Sequence, residues 1–172
     1  IDIGTMNLVV AKQESDGIVT QRIRDAFIDV PKNALKMLKL GGASYIDTGD
    51  ELLIIGDDAL QFGAVFGREV RRPLSRGLIS PDELKSAEVL GWIIKELIGE
   101  PAEPDETLVF GVPADPVDSD MDTVYHRGVF ARMLRKMGYN AIASNEAMAI
   151  IYSEAQDSGF SGLAFSFGSG MT

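Results

Sequence analysis

The spacing of apolar residues changes several times along the chain, and each change marks an element. Leu8-Val9-Val10 reads as a strand, and Ser15-Asp16-Gly17 as a turn. From Ile18 to Val30 the residues alternate loosely between polar and apolar, which suits one or two further strands. Pro31 breaks the pattern. Gly41-Gly42 is a joint, Ser44 to Ile55 reads as a small hairpin around Thr48-Gly49-Asp50, and Gly56-Asp57-Asp58-Ala59 opens a short helix. Arg68 to Arg72 is a cationic patch that reads as a solvated face. The segment 31–80 is far longer than an ordinary connection and reads as an inserted subdomain.

Helical periodicity dominates the second half. Ser80-Pro81-Asp82-Glu83 combines a capping serine, a first-turn proline and a capping-box glutamate. Leu84, Ala87, Leu90, Ile94 and Leu97 follow on one face, and Gly99 and Pro101 stop the helix. Thr107 to Val112 is a buried-type strand. A second helix is predicted from about Ser119 to Met137, with Val124, Phe130, Met133, Leu134 and Met137 as its stripe and His126 at its surface or boundary. Tyr139 to Ala143 is a strand, Ser144 caps a third helix, and Leu163 to Phe167 is a final strand. Strands alternating with helices predict an α/β fold. Three antiparallel strands followed by βα units predict a ribonuclease-H-like βββαβα mixed sheet flanked by helices. Residues 1–30 and 81–160 form its core, and 161–172 begin a second domain.

Composition narrows the function. Of 172 residues, 45% are hydrophobic, enough for a sizeable core. A formal charge of -10 argues against a nucleic-acid or anionic-membrane surface. No run of about 18 apolar residues is present, so no transmembrane segment is expected. The absence of cysteine fits a cytoplasmic protein. A single histidine leaves no histidine metal cluster. Ile1 already lies in a strand and Thr172 in a loop, so the chain reads as part of a longer protein.

Two stretches carry the candidate chemistry. "IDIGTMN" and "FSFGSGMT" each run an apolar strand into a turn of small residues. Glycine removes the Cβ that would hold a ligand away, and successive backbone N–H groups in such a turn form a concave anion site. Thr5, Asn7, Ser169 and Thr172 add short donors, and Asp2 is placed to hold a metal-bound water beside a phosphate. Each motif alone is more often a plain hairpin turn.

Taken together, these motifs resemble the first half of an actin-fold ATPase. That superfamily includes actins, bacterial actins, the seventy-kilodalton heat-shock chaperones and sugar kinases. "DIGTMN" resembles the first phosphate motif, "FSFGSGMT" the second, and "SNEAMAIIYSEA" the connecting helix. "FGVPAD" resembles the strand ending before the second helix. "RPLSRGLI" resembles a segment of the bacterial shape-determining and magnetosome actins. The match spans the whole chain in the right order and is most like the bacterial or archaeal filament-forming members.

The resemblance implies ATP or ADP with Mg2+ held between two loops. Asp2 would face the magnesium and its waters. Gly4, Thr5, Met6 and Asn7 would wrap the β- and γ-phosphates, and Gly168, Ser169, Gly170, Met171 and Thr172 would form the opposite jaw. Glu146 falls where the family places the residue that orients the attacking water; read from its position alone, it is a first-turn glutamate favoured by the helix dipole. Ser166 stands where the family usually has an aspartate, which predicts slowed hydrolysis with binding retained. The position of a phosphate-contacting lysine in some actins is Val9 here, and Lys12 faces the other side of the strand. The implied function is a slow ATPase that self-associates into nucleotide-dependent cytoskeletal filaments. The alternatives are a non-polymerising chaperone-like ATPase, a small-molecule kinase, and a degenerate nucleotide-binding scaffold.

Overall fold

The computed structural model describes residues 1–114, 123–166 and 168–169. The chain opens with β1 (Asp2–Ile3), β2 (Asn7–Glu14) and β3 (Gly17–Arg24), an antiparallel sheet in the order β1-β2-β3. Asp2 lies opposite Val9, and Asn7 opposite Arg24. The chain then leaves this sheet. β4 (Phe27–Val30), a 3-10 turn (Lys32–Ala34), α1 (Leu35–Gly41), β5 (Tyr45–Asp47), β6 (Leu52–Ile55) and α2 (Asp57–Phe66) follow. Their strands form a second antiparallel sheet, β4-β6-β5.

Period-two alternation divides β4 and β6 between two cores. Phe27, Leu53 and Ile55 face the main core, while Ile28, Val30, Leu52 and Ile54 pack with Leu38 and Ala59 of α1 and α2. The strand 27–30, grouped with the first sheet by the sequence, therefore pairs with β6 instead. Its hydrophobicity is satisfied only between two layers.

Then come the hairpin β7 (Leu74–Ser75) and β8 (Leu78–Ile79), α3 (Ser86–Ile98), β9 (Thr107–Val112), α4 (Thr123–Lys136), β10 (Asn140–Asn145), α5 (Glu146–Glu154) and a 3-10 turn (Gln156–Ser158). β9 and β10 pair in parallel, from Thr107 against Asn140 to Val112 against Asn145. Ile1 joins them to the first sheet: its nitrogen donates to the Val109 carbonyl (2.6 Å), and its carbonyl accepts from Gly111 N–H (2.9 Å). α3 and α4 contribute Leu90, Ile93, Ile94, Phe130 and Leu134 to one core with Leu8, Phe110 and Ala141.

Several expectations need correction. α3 starts at Ser86, not Ser80, and its N-cap Lys85 makes no side-chain cap. Glu83 is drawn instead into an ion pair with Arg71 (3.5 Å), and Leu84 is 99% exposed ahead of the helix. Val89 and Ile93 take the buried positions that Leu84 and Ala87 were expected to share. α5 is capped by Asn145, whose Oδ1 accepts from Met148 N–H at 3.1 Å, rather than by Ser144. The described part of the second predicted helix begins at Thr123; its expected start at Ser119 lies outside the described residues. Val124, placed in its apolar stripe, is exposed, and His126 is buried. Residues 163–166 join none of the described sheets, since an apolar run becomes a strand only where a neighbour completes its ladder. The cationic patch is not simply solvated. Arg71 pairs with Asp29 and Glu83 and lies 4.5 Å above the Phe27 ring, pinning the second sheet to the segment that leads into α3.

Candidate functional site

The turn between β1 and β2 is narrow because Gly4 N–H donates to the Asn7 carbonyl (3.1 Å). A Cβ on Gly4 would sit 2.9 Å from that oxygen, closer than side-chain atoms approach. This bond engages the Gly4 amide within the turn. The Thr5 and Met6 amides donate to no backbone carbonyl among the described residues. Thr5 is buried, and its Oγ1 accepts from Gly77 N–H at 2.7 Å. A hydroxyl that accepts in this way retains its own proton for donation.

Gly77 was not singled out from the sequence. It lies at the tip of the β7–β8 hairpin, where Arg76 (φ 52°) and Gly77 (φ 77°) form the left-handed pair of a tight two-residue turn. The Arg-Gly pair between two leucine-bearing strands was the available signal.

Opposite the loop, β9 and β10 present Gly111 and the start of α5. A Cβ at 111 would lie 3.3 Å from Glu146 Cγ and 3.8 Å from Asp2 Oδ1, so this glycine leaves room for both carboxyls to converge. Desolvation raises the Glu146 carboxyl above its ordinary value, and the negative charge of Asp2 raises it further. Desolvation raises Asp2 as well.

These groups surround one cavity of about 260 Å3. The first loop contributes Asp2, Gly4, Thr5, Met6 and Asn7; Glu146, Ser166, Gly168 and Ser169 stand across it, with Gly77 and Pro113 between. Gly170, Met171 and Thr172 lie outside the described residues. Asp2, Glu146 and Ser166 also border an adjoining cavity of about 390 Å3. Val9 lines the first cavity, whereas Lys12 pairs with Glu106 at 3.4 Å elsewhere. No lysine or arginine lines it among the described residues.

Two comparisons bear on this geometry. The family model described as Volactin matches residues 1–172. The chain belongs to the Volactin family. This Volactin chain is also similar in structure to a chain of a "MamK double helical filament". The TM-score is 0.55 at 21% identity, covering 91% of this chain and 42% of that one. At that identity the likeness establishes an actin-like fold, and the Volactin chain spans less than half the length of its structural neighbour. A comparison with curated proteins found no match. No described helix is long and apolar enough to cross a membrane.

Proposed function

We propose that this chain forms the phosphate-holding half of an actin-like protein that binds ATP with Mg2+ and assembles into nucleotide-dependent filaments. The observation that carries the reading is the convergence of the first loop, Glu146 and Gly168-Ser169 on one cavity. Pockets that engulf a whole small ligand occupy roughly 300–1,000 Å3. At about 260 Å3 the cavity suits a polyphosphate tail, with the nucleoside held elsewhere. The edge contact of Ile1 with Val109 and Gly111 places β1 beside β9. It supports the finer reading, a ribonuclease-H-like sheet in the order β3-β2-β1-β9-β10.

The donor set fits the cation. Asp2 and Glu146 are hard oxygen donors both raised by desolvation, Glu146 further by the charge of Asp2, a pairing that a divalent cation relieves. No group of three or more His, Asp or Glu is placed to hold a metal directly among the described residues. The arrangement therefore fits a cation approached through water, with Asp2 orienting that water. Magnesium, when bound, would supply charge neutralisation to the phosphates.

The chain's own residues do the rest. The Thr5 hydroxyl and the Thr5 and Met6 amides donate to phosphate oxygens, and the Gly77 contact fixes the Thr5 side chain while it does so. Glu146, at the first turn of α5, orients the attacking water. Ser166 borders the same cavity and lacks the carboxylate that would share that task, so hydrolysis is slow. Ser166 is also the observation favouring the second reading, a scaffold that binds nucleotide without turning it over.

Sedimentation of the natural full-length protein with ATP and Mg2+, with ADP, and with neither tests the proposal. Pelleting with ATP alone is expected. If nucleotide neither raises the melting temperature nor causes pelleting across a range of salt, the proposal is wrong, because a ligand of the native state must stabilise it.

A further inference from the structure

Asp25 occupies the joint between β3 and β4, where the chain passes from one sheet to the other. Its side chain is fully buried. Its backbone N–H donates to the Met6 carbonyl at 2.9 Å, tying the joint to the first loop. Its Oδ2 accepts from Leu74 N–H at 3.1 Å, tying the same residue to the base of the β7–β8 hairpin. The tip of that hairpin holds Thr5. One residue thus spans both supports of the loop, while its Oδ1 has no hydrogen-bond partner.

We propose that Asp25 is a positioning residue for the first loop: it clamps the loop and the hairpin into one frame, and its ionisation releases the clamp. The inference rests on the reading of that loop as a phosphate site. Its physical basis is linkage. Burial pushes the Asp25 carboxyl up to about 7; the Leu74 N–H and the charge of Arg72 oppose that rise without cancelling it. Of the neighbouring charged groups, Arg24 pairs with Asp57, Arg71 pairs with Asp29 and Glu83, and Arg72 is the cation that acts on Asp25. The clamped state therefore prefers the neutral acid, and a hairpin lifted into water prefers the carboxylate. Raising the pH from the ordinary aspartate value toward about 7 favours the lifted state, by up to about tenfold per pH unit, and the effect levels off above that point.

The test is amide hydrogen exchange on the full-length protein without nucleotide, between pH 5 and 8, corrected for intrinsic exchange. In the wild type, protection of Leu74 and Gly77 is expected to fall about tenfold from pH 5 to pH 6 and to level off above pH 7. Asp25→Asn keeps an acceptor for Leu74 N–H and stays neutral, so its protection should not change with pH. Arg72→Gln, a change at an exposed position, should move the wild-type transition to higher pH even if the asparagine variant folds poorly. Wild-type protection that is flat across this range overturns the proposal, as does an unchanged transition in Asp25→Asn. ATP–Mg2+ affinity measured alongside should weaken from pH 5 to 7 in the wild type relative to Asp25→Asn; equal profiles in the two also overturn it. Absence of any ATP binding by the wild type at pH 6 sinks the phosphate-site reading instead, and the exchange data still decide the clamp.

Discussion

His126 gives a direct test of how burial governs this protein's response to acid. Its ring is buried against Phe130, 4.6 Å between centroids, and its Nδ1 accepts from Ile79 N–H at 3.3 Å. The other nitrogen, Nε2, finds no hydrogen-bond partner. Burial lowers the imidazole from 6.5 to about 4. Between those values the unfolded chain binds a proton that the folded protein refuses. Stability held above pH 6.5 is therefore lost as the pH falls toward 4. At about 1.4 kcal/mol per unit, the loss approaches about 3 kcal/mol. Asp25 works in the opposite sense. Its raised value means that the folded state binds the extra proton, so its contribution is present at low pH and lost as the pH rises toward 7, by about 4 kcal/mol. The two slopes largely offset each other in the wild type. His126→Gln keeps an acceptor for Ile79 N–H and removes the titration. The variant should lose about 1 kcal/mol at pH 7.5 through the missing ring contact. From pH 6.5 to 4.5 its stability should then improve by about 2–3 kcal/mol relative to the wild type. Urea unfolding at four pH values measures both. Parallel stability profiles for the two proteins would refute the assignment of a buried, neutral histidine.

Three further outcomes address the site. Asp2→Ala should weaken magnesium-dependent nucleotide binding, whereas Glu146→Gln should spare binding and lower phosphate release by about 100-fold; equal turnover in the Glu146 variant removes its role. Ser166→Asp should accelerate phosphate release with affinity little changed, and a single-turnover assay showing no gain would place the slow step elsewhere. Gly111→Ala brings a methyl group within 3.3 Å of Glu146 Cγ, so turnover should fall by about tenfold with binding intact, read from paired calorimetry and phosphate-release measurements.

Particular residues show why some of this was legible in the sequence. Thr107–Val112 was recognisable because a short apolar run, interrupted by Gly111 alone, ends at a proline, a local signal. The hairpin around Thr48-Gly49-Asp50 was likewise local: Thr48 N–H donates to the Glu51 carbonyl within the turn. The α3 start was misplaced because Ser80 to Glu83 carries every local mark of a cap. Glu83 forms a long-range ion pair with Arg71 instead, and Ser80 N–H donates to Pro73. His126 was misread because its burial depends on β8, a contact far away in the chain that a helical stripe through Val124 and Phe130 does not reveal.

The sequence by itself determined the alternation of strand and helix from Thr107 to Glu154, the first small-residue turn, and the resemblance that proposed Asp2, Thr5 and Glu146 for one site. Those depend on local propensity and spacing. Only the tertiary structure decided that β4 turns away to pair with β6, that Gly111 leaves room for two carboxyls, and that Gly77 and Asp25 support the first loop from opposite ends of one hairpin. These are contacts between residues far apart in the chain. Their energies come from shared burial and long-range hydrogen bonds, which residue spacing along the sequence does not encode.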